Sequence, residues 1–440
     1  MAKVNTSFVC QECGYESPAF LGKCPECGEW NSLKEFKVQN VKTDFAKTNL
    51  TKIKPLTLSQ ISSDNNKRIS TQFLEMDNVM GGGVVVGSVT LLAGDPGIGK
   101  STLLLQTALN ISQKKQTVLY ISGEESQEQV KLRAQRLTKQ TKNDNLLLVS
   151  LTDTDSICNL IADSKPDFVI IDSIQTMESE NLTGLSGSIG QVRYATSEFI
   201  KLAKGLNIPV ILVGHVTKEG MVAGPMILSH MVDTVLFLEG EKNTGSRLLR
   251  SLKNRFGPVD EVGVFEMAGD GMKEIKNPEE IFLGKGNNAP GSVLVANMEG
   301  TRAFLVEVQA LCVFSKLPMP RRVASGVDYK RLELLLAVLQ KHARLPVDTM
   351  DVFVNVAGGI KLTDPSCDLG ICLAVVSSIK NINLSKHVGI AEVGLLGELR
   401  NTPFLEKRVA QAKKLGITKI ISSKDYKTIE EVVKTLTNDH

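Results

Sequence analysis

Apolar residues in the first two thirds of the chain fall into short runs, SVTLLAG, TVLYIS, LLLVS, FVIIDS and PVILVGHV, each the length of a strand. Between them lie stretches with helical spacing: STLLLQTALNI after the first run, about Gln127 to Leu137 after the second, and about Ser156 to Ala162 after the third. Strands alternating with helices predict an α/β domain with a mostly parallel sheet covered on both faces. From about Gly284 the pattern changes. GSVLVANMEGTRAFLVEVQAL predicts two strands turning at Glu299-Gly300-Thr301, and YKRLELLLAVLQKHA predicts a helix before VFVNVAGG, which together describe a separate α+β unit. Residues 33–70 carry scattered lysines, few large apolar residues and no sustained period, and read as a linker. The expected division is a module over 1–32, a linker over 33–70, an ATPase-sized domain over 71–275 and a C-terminal domain over 284–440.

Composition narrows this little. With 440 residues the chain has room for two or three domains, and its net charge of +3 permits a nucleic-acid partner without demanding one. No apolar run approaches the roughly 18 residues of a membrane span, and MAKVNTSFVC lacks the plan of a signal peptide, so the expected compartment is the cytoplasm, with no membrane partner. Cys158, Cys312, Cys367 and Cys372 lie in apolar stretches and read as reduced, buried residues.

The remaining cysteines are organised. Cys10-x-x-Cys13 and Cys24-x-x-Cys27 are separated by residues 14–23, and each second cysteine is followed by a glycine, Gly14 or Gly28. Two thiolates in a glycine-relaxed turn can face one tetrahedral ion, and two such turns complete a structural Zn2+ shell. A pair of disulfides is the alternative, disfavoured where thiols stay reduced.

Gly94-Asp95-Pro96-Gly97-Ile98-Gly99-Lys100-Ser101-Thr102 fits G-x-x-x-x-G-K-[ST] between a strand and a helix. The turn's N–H groups and the helix N-terminus suit the phosphates of ATP, Lys100 their β/γ oxygens, and the Ser101 hydroxyl Mg2+. Asp172 closes the run FVIID and is the second candidate for Mg2+. Glu124 and Glu125 follow the next strand. Glu124 is favoured as the base that polarises the attacking water, and Glu125 reads equally well as a helix-terminal charge. His215 ends PVILVGHV, where a polar group can sense the γ-phosphate as a switch or simply be hydrogen bonded. Two long segments, Glu178–Gly190 and Thr217–Met226, read as functional or mobile loops leaving one sheet edge and able to line a channel. Lys253-Asn254-Arg255-Phe256-Gly257 ends a strand-like run that also carries Arg247 and Arg250. It suits a phosphate-and-base contact, a cation reaching a neighbour's nucleotide, or a solvated strand end.

Taken together, FVCQECGYESPAFLGKCPECGEWNSL, MGGGVVVGSVTLLAGDPGIGKSTL, YISGEES, the KNRFG run and GVDYKRLELLLAVL resemble the bacterial RadA (Sms) family over nearly the whole chain. The resemblance implies a RecA-like P-loop ATPase core with an N-terminal zinc ribbon. It further implies a hexameric ring similar to DnaB-type helicases that loads on single-stranded DNA. Such a ring drives branch migration of branched DNA intermediates with the RecA recombinase. Lys253 and Arg255 would then couple DNA contact to ATP turnover. The C-terminal region resembles the Lon protease domain, whose catalytic serine position falls on Ser366 and whose lysine position falls on Arg408. A guanidinium stays protonated and cannot serve as the base, and Lys407 points about 100° away on the helix, so the implied domain is a scaffold and not a peptidase. The basic run Lys407, Arg408, Lys413, Lys414 then faces either DNA or solvent. Two other functions compete with the motor: a Lon-type ATP-dependent peptidase, and a nucleotide-gated signalling ring.

Overall fold

In the computed structural model the described residues are 5–10, 15–26, 28–38, 57, 67–138, 143–182, 184–215, 225–240, 245–259, 261–275, 283 and 289–438. The chain divides into two compact units, Met1–Glu239 with Arg247–Glu274, and Gly240–Ser246 with Ile275–His440.

At the N-terminus, β1 (Asn5–Cys10) pairs antiparallel with β2 (Glu16–Ser17) and, over its whole length, with β3 (Leu33–Val38). The first stretch of the expected linker is therefore the third strand of the small module, because Leu33 is needed to cover Cys10 and Cys24 in its core. Likewise β4 (Arg68–Ile69) pairs with β5 (Val84–Val85), so the next domain begins before residue 71, with α1 (Leu74–Val79) inside that hairpin.

The ATPase-sized domain runs β6 (Val89–Gly94), α2 (Lys100–Ser112), β7 (Val118–Ser122), α3 (Gln127–Leu137), β8 (Leu146–Ser150), α4 (Thr154–Ser164) and β9 (Phe168–Asp172). It continues through α5 (Ile189–Leu206), β10 (Val210–Val213), α6 (Pro225–Met231), β11 (Thr234–Glu239), β12 (Ser246–Asn254), β13 (Val262–Ala268) and β14 (Gly271–Glu274). The sheet order is β14-β13-β12-β11-β6-β10-β9-β7-β8, parallel from β11 to β8 and antiparallel at β11–β12 and β13–β14. Alternate residues of one strand go to opposite faces, so Leu92, Tyr120, Ile170 and Ile211 join α1 and α2 in one core. Leu91, Leu119, Val169 and Leu212 join α4 and α5 in the other. Local signals set the helix ends: Ser126 and Gln129 form a capping box on α3, Asp153 accepts from Ser156 N on α4, and Lys165 and Asn207 close α4 and α5 in the left-handed region.

The second unit is a mixed α+β domain. Its hairpin β15 (Ser292–Glu299) and β16 (Arg302–Phe314) turns at Gly300-Thr301. There follow β17 (Arg322–Ser325), α7 (Tyr329–Ala343), β18 (Met350–Val356), α8 (Asp368–Lys380), β19 (His387–Ile390), β20 (Glu392–Val393) and β21 (Leu399–Arg400). Then come α9 (Leu405–Lys414), β22 (Lys419–Ser422) and α10 (Ile429–Asn438). The six-stranded order is β17-β18-β16-β15-β19-β22.

Arg408 does not belong to a surface basic run. It is 2% exposed, and its guanidinium pairs with Asp364 at 2.7 Å and donates to Ala296 O and to Pro403 O, joining α9 to β15 and to the turn before α8. Asp364 in turn accepts from Ser366 N at 2.9 Å, while Ser366 Oγ is buried and has no hydrogen-bond partner. The spacing Leu405, Arg408, Ala412 places the arginine on the inward face of α9, which is why it is desolvated while Lys407, Lys413 and Lys414 are exposed. Removing one partner of a buried pair leaves the other charge uncompensated. Arg408→Ala should therefore cost the C-terminal unit about 3–5 kcal/mol, read as a lowered unfolding midpoint of the full chain; an unchanged midpoint would show that the pair holds nothing together.

Candidate nucleotide site and basic motif

The phosphate-binding turn is built where β6 ends. Gly94 lies at φ +151° directly beside β11, and a Cβ there would stand 2.3 Å from Leu238 O, so only glycine lets the two strands stay paired. Gly99, at φ +114°, opens α2 with no capping side chain and no acid in its first turn. The N–H groups and positive end of α2 are thus left for an anion. Lys100 is 2% exposed, and its ammonium donates to Gly94 O at 2.8 Å and Asp95 O at 3.0 Å. Burial lowers its pKa to about 8, against the opposing pull of Asp172, Asp95 and Glu124. A cation held from water by carbonyls alone is a fitting receptor for a polyphosphate. Arg247, 5% exposed, donates Nε to Ile98 O at 3.1 Å and so ties the turn to β12. Pro96, Gly97, Ser101 and Thr102 complete the turn and the first turn of α2.

Because β7, β9 and β10 run parallel to β6, their ends arrive at the same edge. Asp172, 7% exposed, closes β9, and its Oδ2 accepts from Tyr120 Oη at 2.6 Å. Burial first, then Asp172, raises the Tyr120 phenol well above its ordinary pKa, so it is the donor. Glu124 Oε1 accepts from Ser173 Oγ at 2.7 Å and lies 3.3 Å from His215 Nε2. Glu125 instead pairs with Arg133 of α3, which leaves Glu124 as the carboxylate turned toward the site. The His215 carbonyl accepts from Gln175 Nε2 at 3.1 Å, and His215 Nδ1 and Gln175 Oε1 are buried without partners. Tyr120, Ser173 and Gln175 were not singled out in the sequence: a tyrosine inside an apolar strand has the signature of core.

The expected loop Glu178–Gly190 is, in its described part, tied down by buried hydrogen bonds. The Gln191 side chain, 2% exposed, accepts from Ser179 N at 2.9 Å and donates to Ser179 O (3.1 Å), Leu182 O (3.2 Å) and Gly184 O (3.4 Å). Asp155 accepts from Ser179 Oγ, Asn181 Nδ2 and Tyr194 Oη, fixing the same stretch from α4. Of the second expected loop, Thr217–Met226, residues 217–224 lie outside the described residues.

The basic motif sits at the opposite edge. Asn254 pairs with Thr234 at the start of β11, whereas Gly94 pairs with Leu238, so the motif is roughly 13 Å along the sheet from the P-loop. Lys253 is not an open cation. Its ammonium donates to Ser229 O (2.6 Å), Val232 O (2.8 Å) and His230 O (3.4 Å), closing the C-terminal end of α6. Arg255 is half exposed and lies 3.3 Å from Asp233, and Asn254 Nδ2 donates to Met80 O at 3.2 Å. Phe256 is 37% exposed; its carbonyl accepts from Arg68 at 2.7 Å, while Gly257 packs on Gly81.

In the N-terminal module Cys10 and Cys24 are buried, and Cys10 N donates to Tyr15 O and Cys24 N to Glu29 O, both at 2.9 Å. Gly28 takes φ +76° between Cys24 and Glu29. Two buried thiols, each on a residue whose N–H donates to the carbonyl five residues on, fit Zn2+ chemistry; Cys13 and Cys27 lie outside the described residues.

A family described as "AAA domain" matches residues 55–221, and one described as "Rubredoxin metal binding domain" matches residues 8–35. The DNA repair protein RadA of Bacillus subtilis (strain 168) is 46% identical over 427 residues, covering 96% of this chain and 93% of that protein. Proteins of the same name from Listeria monocytogenes and Streptococcus pyogenes are 46% and 45% identical, over 96% and 97% of this chain and 93% and 94% of theirs. The chain belongs to the RadA family. Membership together with the P-loop makes it an α/β ATPase with a zinc-ribbon module. Among the described residues no helix is long and apolar enough to cross a membrane.

Two outcomes follow from this geometry. Bound polyphosphate favours the charged form of Lys100, whose pKa in the free site is about 8. Nucleotide affinity should therefore be insensitive to this group below pH 8 and fall up to about tenfold per pH unit above it, with proton uptake on binding. Calorimetric titrations on both sides of pH 8, in buffers of different ionisation enthalpy, measure this; constant affinity across the range contradicts it. Lys253→Ala should retain nucleotide binding yet accelerate amide exchange over residues 225–231 by about fivefold or more, the loss of a cap of about 1 kcal/mol. Exchange unchanged in α6 would mean that the lysine does not hold the helix.

Proposed function

We propose that this chain is a DNA-stimulated ATPase of recombinational DNA repair, a cytoplasmic, ring-forming motor on single-stranded DNA that drives branch migration of recombination intermediates beside the RecA recombinase. The ring is a homo-oligomer, in the reading a hexamer. Lys100 and the turn Gly94–Thr102 bind ATP, Ser101 and Asp172 hold Mg2+, and Glu124 takes the proton of the attacking water. Mg2+, when bound, neutralises charge on the β/γ oxygens. Cys10, Cys13, Cys24 and Cys27 hold a structural Zn2+, and residues 284–440 serve as a Lon-like scaffold.

The observation that carries the reading is the contact between Glu124 and His215. It stands where β10 leaves the sheet, and the next described element, α6, is capped by Lys253 of the KNRFG motif. The acid that would meet ATP and the motif that would answer to DNA thus bracket one segment of chain. Occupancy of one can bias the other without the two touching, because Glu124 meets the end of β10 and Lys253 stands on β12 of the same sheet. This is also the role of His215 as a switch. The near full-length similarity to proteins named for DNA repair supports the same conclusion. The peptidase alternative is opposed by the buried ion pair of Arg408 with Asp364, which leaves Ser366 without a base. Casein cleavage abolished by Ser366→Ala would revive it.

ATP hydrolysis should rise about tenfold or more with single-stranded DNA and vanish in Lys100→Ala. A rate indifferent to DNA, in a protein whose assembly nonetheless changes with nucleotide, would favour the signalling ring.

A further inference from the structure

Asp172 presents two oxygens to the phosphate-binding edge of the sheet, and they are not equivalent. Oδ2 accepts a 2.6 Å hydrogen bond from the Tyr120 hydroxyl, whereas Oδ1 has no hydrogen-bond partner among the described residues. Tyr120 is 1% exposed and sits on the neighbouring strand β7, two residues before Ser122, the residue registered against Asp172. Its ring belongs to the core beneath α2, so the hydroxyl cannot swing away without unpacking that face of the sheet. A carboxylate at the end of a strand can otherwise rotate about its terminal torsion, which is broad.

We propose that Tyr120 is a positioning residue for the metal: its hydroxyl fixes the Asp172 carboxylate so that Oδ1 remains the oxygen available to the Mg2+ that accompanies the nucleotide. The proposal rests on the assignment of Asp172 to that ion. Tyr120 touches neither nucleotide nor metal in this scheme; it acts through Asp172. The opposing account is that a buried phenol merely needs an acceptor and Asp172 is the nearest one, a packing role with no consequence for the ion.

The two accounts part on the metal dependence of binding. In the full chain, affinity for ADP is measured in excess EDTA and then as Mg2+ is added, for wild type, Tyr120→Phe, Asp172→Asn and the double variant. Tyr120→Phe keeps the ring and removes only the donor. Its affinity in EDTA should match wild type, while half-saturating Mg2+ rises roughly 10–100-fold, the range for losing an outer partner of a metal-holding group. Tyr120→Met, which also lacks the donor, should show the same rise should the phenyl variant pack poorly. Asp172→Asn should shift Mg2+ dependence at least as far, and Tyr120→Phe should add nothing in that background. Wild-type Mg2+ dependence in Tyr120→Phe beside a shifted Asp172→Asn overturns the positioning role alone. An unshifted Asp172→Asn overturns the metal assignment and the positioning role together.

Discussion

Keeping a charged ammonium out of water at the end of an apolar strand is the constraint around which the ATPase domain is arranged. Lys100 can be buried because two carbonyls at and just after the end of β6, Gly94 and Asp95, are turned toward it, and those carbonyls are in place because Gly94 lets β6 remain paired with β11 to its own last residue. A side chain at position 94 would part the strands and take the carbonyls with them. The parallel sheet then does the remaining assembly without further devices. Asp172 and Glu124 end or follow neighbouring strands, so their negative charge converges on the same edge, where it opposes but does not cancel the desolvation of the lysine.

The opposite edge uses positive charge in another way. Lys253 and Arg255 are among the residues a reader of the sequence would assign to a phosphate backbone, yet each is engaged with the protein: Lys253 with the carbonyls ending α6, Arg255 with Asp233. Asp233 also accepts from Val89 N at the first residue of β6, so the strand that ends in the P-loop begins against the partner of Arg255. The basic motif, at the end of β12, thus meets through Asp233 the start of the strand whose other end carries the phosphate site. Asp233 is the side chain that Arg255 and the start of β6 share, and the Arg255 guanidinium is half exposed.

How much of this the sequence disclosed depends on how local each signal is. The P-loop, the strand-end acids and the alternation of strands with helices are read from contiguous residues, and the fold class follows from them. Contacts between distant residues left no such trace. Tyr120 reads as one more apolar position of TVLYIS, and its hydroxyl acquires a role only from a strand that follows some fifty residues later. Gln191 is a polar residue on an amphipathic helix until the backbone of 179–184 folds onto it. The acceptors of Lys253 are main-chain carbonyls, which no residue type announces. Arg408 is different, since Leu405 and Ala412 already placed it on the inward face of its helix; helical spacing contradicted the surface role that charge alone suggested.

Lys100 and Arg408 are both cations buried to 2% exposure, and the contrast between them lies in what compensates each charge. Arg408 has a carboxylate at 2.7 Å and carbonyls for its remaining donors, so its charge is compensated within the fold and nothing further is required of the neighbourhood. Lys100 has carbonyl dipoles but, among the described residues, no carboxylate in ion-pair contact, and burial lowers its pKa to about 8 against the pull of Asp172, Asp95 and Glu124. An anion arriving at the P-loop relieves that imbalance, whereas one arriving at Arg408 would have to displace Asp364 first. The serine beside Asp364 therefore stands next to a closed ion pair, whereas Lys100 is a buried cation that carbonyls alone leave open to an anion.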